Sequence, residues 1–461
     1  MTNTITLNGN ATGYGASWGA EEFVLNGYDN TVLLGGANDT INLASGGNDL
    51  IDLNATGFSN SVTDTIDLGQ GAFDSIIATN ALSGSNLTIA NGFGGSTIDL
   101  VNHYGSTSLT LGNQGALVNH AGLGLNDVVT LNGDAANNVT FTSGEGADVT
   151  IGAAGDGDGY DASSVALFGV YNQLLGGDET FTVTDASGLN QIALGNGDNS
   201  ILLGGDQNDV VLGNGNNNVD FTGGHDALAA GTGNNDVTVK GPAANLTFAA
   251  GGAGSSDVIT LTGGTADIHG GDENFSVAAS HGGDAVILGN GNNVVDLPSG
   301  WVTLGSSVAN TAENTVTLSH GNDHVTLNGG LDQVTLHDVN TGYDTVKLNG
   351  TLLGTQLNVA GSFDNVTLTA DANAAITEAA GASGLNLVLH GDASLGIGTV
   401  SVTGLAQDFL AHITLIGTGA YTITADNTAA GGVTLHFGHG SLDLIGLQAV
   451  PNTLITVLPA H

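Results

Sequence analysis

Aspartates returning at a near-constant interval are the residues of this chain best placed to do chemistry. Asp39, Asp49, Asp64, Asp74, Asp257, Asp284, Asp323, Asp332, Asp344 and Asp364 each stand two positions ahead of an apolar residue. Recurrent carboxylates can hold divalent cations, and the overall charge calls for them. The 44 acidic residues face only Lys240 and Lys347, a formal net charge of −42. Such a body repels itself unless counter-ions neutralise it, although acidity also keeps an apolar protein soluble. Nucleic acid and anionic membrane surfaces, which need positive charge on the protein, are excluded as partners.

No catalytic constellation accompanies the carboxylates. The 13 histidines are scattered, and the nearest groupings, His320/His324 and His436/His439, lack a metal-ligand pattern. The chain has no Cys and no phosphate loop with its lysine. Gly195-Asn-Gly197 and Gly213-Asn-Gly215 precede no helix and read as turns. The expectation is therefore a protein that is not an enzyme.

The elements that must carry the aspartates are very short strands. Val316-Thr317-Leu318, Val325-Thr326-Leu327 and Val334-Thr335-Leu336 recur at a fixed interval of nine. A second register runs Ile201/Leu203, Val210/Leu212 and Val219/Phe221, with Val237/Val239 and Leu246/Phe248 at further multiples of nine. Two apolar residues flanking one polar residue describe a strand with one face buried. A three-residue strand is unstable alone, so many must stack, each repeat burying its apolar face against its neighbours. The fold class expected is all-β, an elongated parallel β-solenoid of 9–10-residue strand-turn units, two units making one coil of about 18–20 residues. The 76 glycines sit between the triplets as turn formers, and a mean hydropathy of +0.16 argues against disorder. Segments such as Ile376-Thr-Glu-Ala-Ala-Gly381 offer a turn of helix and nothing longer, and no stretch is long enough to span a membrane as one.

Blocks such as Gly46-Gly47-Asn48-Asp49 and Gly204-Gly205-Asp206-Gln207-Asn208-Asp209 resemble the RTX, or hemolysin-type calcium-binding, repeat Gly-Gly-x-Gly-x-Asp-x-U-x. That resemblance implies a parallel β-roll with Ca²⁺ between successive turns, held by Asp carboxylates and Gly-loop carbonyls. Carried onto this chain, it makes Asp39, Asp49, Asp206, Asp209, Asp226, Asp236, Asp323 and Asp332 the expected metal ligands. Departures are plain: the third Gly is missing or replaced, and Asn199, Asn208, Asn217 and Asn235 stand where the acid belongs. The alternative stays open that these are metal-free turns, because Asn, Asp and Gly suit tight turns and stacked Asn residues can hydrogen-bond along a ladder.

Residues 1–370 form the Asn/Asp/Gly-turn solenoid, and 371–461 an Ala-richer continuation in which the triplets persist. The segment from Val433 to Leu447 resembles the closing segment of RTX exoproteins, an apolar hairpin around an acidic-Gly turn. This likeness implies export by type I machinery through an uncleaved C-terminal signal, in keeping with an N-terminus that has neither a basic region nor an apolar run.

The function expected is that of a secreted, extracellular structural protein on a cell surface or in a matrix, self-assembling into a filament or surface layer with calcium ordering the turns. Repeat material fills the chain, and open coil ends can template association. An adhesin or stalk for cell-surface polysaccharide is the alternative, though aromatics make up only 5% of the residues and Trp occurs only at 18 and 301. An ice-binding face is spoiled by Asp220, Asp296, Ala193 and Lys347 in the outward Thr position. A polysaccharide lyase or epimerase lacks the basic residues that hold acidic sugars.

Overall fold

A computed structural model describes residues 170–249, 255–305, 311–337 and 343–369 as long continuous stretches. Before these it describes 3–9, 12–14, 21–33, 39–52, 63–67, 74–77, 86–92, 97–101, 107–111, 117–125, 128–131, 138–145, 148–151 and 162–167. After them it describes 372–379, 382–390, 399–405, 410–417, 421–426, 431–437, 440–447, 449–451 and 453–459. Part of the early repeat block, Gly35 to Asn38, lies outside these residues.

The chain is an all-β parallel β-solenoid with two strands in each turn. It divides into two units, Met1–Gly231 and Thr232–His461. In the first unit each strand pairs in parallel with the next but one along the chain. Gln191–Leu194 lies beside Asp209–Leu212 on one face, with Ile192 opposite Val210. Ser200–Leu203 lies beside Asn218–Phe221 on the other, with Ile201 opposite Val219. Both pairs share one offset, and it is the two-unit coil expected from the triplets. In the second unit Thr315–Leu318 pairs with Gln333–Leu336 in the same way and at the same offset.

Side chains alternate as the triplets require. Along Thr315–Leu318 and Gln333–Leu336 the valine and leucine are buried, while the polar residues between and before them point outward. Phe23, Phe181, Phe221 and Phe275 are the largest fully enclosed side chains. Each enclosed Val, Leu or Ile contributes about 1.5–3 kcal/mol over leaving it in water, and that sum replaces the missing local stability of such short strands. Turns stack just as closely. A Cβ on Gly215 would stand 1.9 Å from the carbonyl oxygen of Gly197 one coil earlier, so only glycine fits between the two backbones.

The turn of helix expected at 376–381 is not formed, as far as the described residues reach. Ala372–Glu378 is a strand, with Ile376 buried opposite Leu357 and Val402. The alanines there are small core and surface residues of one more coil, so packing against neighbours overrides their helix propensity. Further on the parallel order breaks. Tyr421–Asp426, Gly432–Phe437 and Gly440–Ile445 are antiparallel, and the last of them rejoins the solenoid beside Thr399–Thr403.

The alternation makes a direct prediction. Leu327→Ala, at an enclosed position, should cost about 2–5 kcal/mol, whereas Thr326→Ala beside it should stay within about 0.5 kcal/mol. Denaturant unfolding of the two variants checks this, and equal effects would contradict the register.

Candidate functional site

The alternation extends past the strand into the turn. The residue two before the first enclosed apolar side chain has the same parity, so it too points inward. Asn or Asp fills this position in coil after coil, and the residues are buried. In the first unit the backbone N–H of Asn172 donates to Oδ1 of Asn190 at 2.8 Å. Asn190 donates to Asn208 at 3.2 Å, and Asn208 to Asp226 at 2.9 Å. On the other face Phe181 donates to Asn199 at 3.1 Å and Asn199 to Asn217 at 3.3 Å. The second unit repeats the device. Asn293, Asn314 and Asp332 form one run, at 3.0 and 3.2 Å, and Asp323, Asp344 and Asp364 another, at 2.9 and 3.2 Å.

Asparagine fits this position completely. Besides accepting the N–H, Oδ1 of Asn217 accepts from Nδ2 of Asn199 at 2.9 Å, and that Nδ2 also donates to the Gly197 carbonyl of its own turn at 2.8 Å. Aspartate fits half of it. Its Oδ1 takes the N–H, but Oδ2 replaces the amide nitrogen and has no hydrogen to give. The Oδ2 atoms of Asp49, Asp74, Asp226, Asp284 and Asp332 are enclosed without a hydrogen-bond partner. Burial accordingly pushes the carboxyls of Asp74, Asp226, Asp257, Asp284 and Asp332 up to about 6, against the pull of the N–H bonds they accept. Asp49 is raised by the same cause. Asp185, enclosed beside the Asn190 amide, is also pushed up to about 6 by burial.

The eight expected metal ligands separate into two sets. Asp39, Asp49, Asp226, Asp323 and Asp332 are interior residues of this ladder. Asp206, Asp209 and Asp236 are exposed, and Oδ1 of Asp206 accepts the N–H of Gly224 at 2.8 Å. A calcium ion takes six to eight oxygens. Among the described residues no three His, Asp or Glu side chains converge in a way that could hold a metal ion. The interior carboxylates lie one per turn, and burial favours the protonated form of Asp49, Asp226 and Asp332. Of the two readings left open by the turns, the hydrogen-bonded ladder is the one these residues form.

Compared with known proteins, the chain matches no family model, no characterised protein and no solved structure.

Sequence reasoning missed a second assembly of residues on the outside of the second unit. Trp301 and His324 stack with ring centroids 5.9 Å apart, and Tyr343 and Phe363 stack at 5.8 Å. The signal was available only as register, since Trp301 is opposite His324, and His324 opposite Thr345, which stands two positions beyond Tyr343.

The ladder predicts how stability depends on pH. A carboxyl whose pKa is higher folded than unfolded favours the fold in its protonated form. That contribution is complete below the ordinary value of 3.8 and is lost as the pH rises through about 6. The protein should therefore melt at a higher temperature at pH 4.5 than at pH 7.5. Asp332→Asn should raise stability at pH 7.5 by about 1–3 kcal/mol and flatten the dependence. A variant less stable than the parent at both pH values would mean that Asp332 works ionised.

Proposed function

We propose that this chain is an extracellular structural subunit that assembles with further copies through the edges of its outermost strands. One observation carries this reading: those strands are paired on one side only. Among the described residues Asn3–Asn8 pairs only with Glu21–Tyr28, and Ile455–Leu458 only with His412–Ile416. An open row of backbone N–H and C=O groups is a template for another strand. At Ile455–Leu458 the side chains beside that row include Val457 and Leu458, 42% and 40% exposed. Tyr421–Asp426, the outer strand of the antiparallel set, offers a further edge on which Thr422, Ile423 and Thr424 are exposed.

Calcium enters this proposal as the counter-ion of the outer turns. The exposed Asp206, Asp209 and Asp236 are the carboxylates free to meet it, and the ladder aspartates are not required to. Support for calcium comes from the likeness of the turns at 35–53 and 204–236 to the RTX repeat, and support for export through type I machinery from the likeness of the segment from Val433 to Leu447 to the closing segment of RTX exoproteins. The high negative charge supports it too, because copies carrying it must be screened before their edges can meet.

Negative-stain electron microscopy of the purified protein in Ca²⁺, and again in excess EGTA, tests both parts. Filaments or sheets that dissolve on chelation are expected. Val457→Pro, which removes an outward-facing N–H from the exposed edge strand, should shorten or abolish them without changing the melting temperature by more than a few degrees. Discrete monomers in both conditions would overturn the assembly reading. Assemblies indifferent to EGTA would retain assembly and remove calcium.

A further inference from the structure

We infer that the outer face carrying Trp301, His324, Tyr343 and Phe363 binds a polysaccharide free of acidic groups. The ring positions come from register. Trp301 and His324 are opposite each other on adjacent strands, and their rings stack at 24°. Thr345 and Asn365 continue that row, and the second pair stands two positions before them, stacked at 26°. At ~4.8 Å per turn and ~3.3 Å per residue, two turns and two residues put the two pairs about 12 Å apart on the face. All three carbocyclic rings are open to solvent: Trp301 is 56% exposed, Tyr343 59% and Phe363 46%. Phe363 is held with φ at +64°, a conformation disfavoured for a bulky residue, which keeps its ring over Gly384 of the next coil.

Charge is the second observation. The chain has a formal charge of −42, yet the outward positions of four successive strands on this face hold no carboxylate. From Gly300–Leu304 through Asn365–Leu368 those positions are Trp, Thr, His, Asn and Lys347, and the aspartates of the same turns, Asp323, Asp344 and Asp364, point inward. A neutral hydroxylated chain meets here aromatic faces for its C–H surfaces, with amide, hydroxyl and ammonium groups beside them for its hydroxyls. A polyanion would be repelled by the remainder of the molecule.

A second copy of this chain is the competing occupant, and area decides against it. A stable protein interface buries about 1,200–2,000 Å² around an apolar centre. On this face the exposed large apolar side chains are Ile287 and the three rings, separated by rows of Thr and Asn. Separate aromatic platforms in a polar field suit a sugar chain better than a protein core.

Affinity electrophoresis tests the inference, using native gels cast with neutral β-glucan, xylan, galactan or mannan, and with alginate as the acidic control. Retardation is expected in at least one neutral gel and none in alginate. Trp301→Ala and Tyr343→Ala should each weaken it about tenfold or more, and together abolish it, with melting temperatures unchanged because all three rings are surface groups. Trp18 and Trp301 are the two tryptophans of the parent, so with excitation selective for tryptophan the iodide quenching of Trp18→Phe should be relieved by the retarding glycan. No retardation in any neutral gel, or retardation that survives the double variant, would overturn the inference. Loss of filaments in the double variant without any glycan retardation would assign the face to assembly instead. The edge variant Val457→Pro separates the two readings, since it should lose assembly and keep glycan binding.

Discussion

A backbone N–H turned inward at each corner of the coil is the constraint on which this structure depends. At the end of every short strand the chain bends, and the corner N–H is enclosed where water cannot reach it. Left bare, such a donor costs about 1–3 kcal/mol, and the cost would recur at every turn. A side-chain oxygen from the next coil takes it. Because that oxygen belongs to the residue at the same position one coil later, satisfying one turn fixes the spacing to its neighbour. The device is repeated on both faces and in both units, which is why such short strands suffice.

The same constraint changes how the charge is to be counted. The formal −42 treats every carboxyl as an ionised surface group. Several are inside, however, with one oxygen accepting a corner N–H and the other enclosed, and these hold their protons to about pH 6. In mildly acidic surroundings the molecule is less charged than its composition states, and it repels both itself and its neighbours less. Self-repulsion and counter-ion demand fall on the outward set, such as Asp206, Asp209 and Asp236. Asparagine and aspartate alternate in the ladder without breaking it because both supply Oδ1. Only the second atom of the side chain tells them apart.

Much of this was legible in the sequence, because strand alternation and the two-strand coil both follow from the spacing of Val, Thr and Leu. The same parity rule, carried two positions further, also sorts the aspartates. Asp226 stands two before the enclosed Leu228 and faces inward, whereas Asp209 stands one before Val210 and faces out. The aromatic face was not legible, since Trp301, His324, Tyr343 and Phe363 recur at unequal intervals set by turns of irregular length. Composition hid it as well, because few aromatics in a chain do not prevent four rings from meeting.

Where the buried ladder stops, the regularity stops with it. The run through Asn293, Asn314 and Asp332 reaches Thr355, whose enclosed hydroxyl has no partner, and the run through Asp323, Asp344 and Asp364 reaches Leu385, which has no side-chain oxygen to offer. Up to those points the offsets between paired strands of this unit stay within a narrow range. Beyond them the offset from Ala374 to Val400 exceeds that range, and the one from Thr399 to Ser441 is wider still, with an antiparallel pair inserted. Apolar packing continues through both, as Ile376, Val402 and Leu444 are all enclosed, so the core does not set the period. Packing accepts turns of any length that return the strand to the face. The acceptor fixes which residue meets the corner N–H in the next coil rather than the length of chain between them, since the link from Asp49 to Asp74 spans 25 residues and the one from Asn190 to Asn208 spans 18.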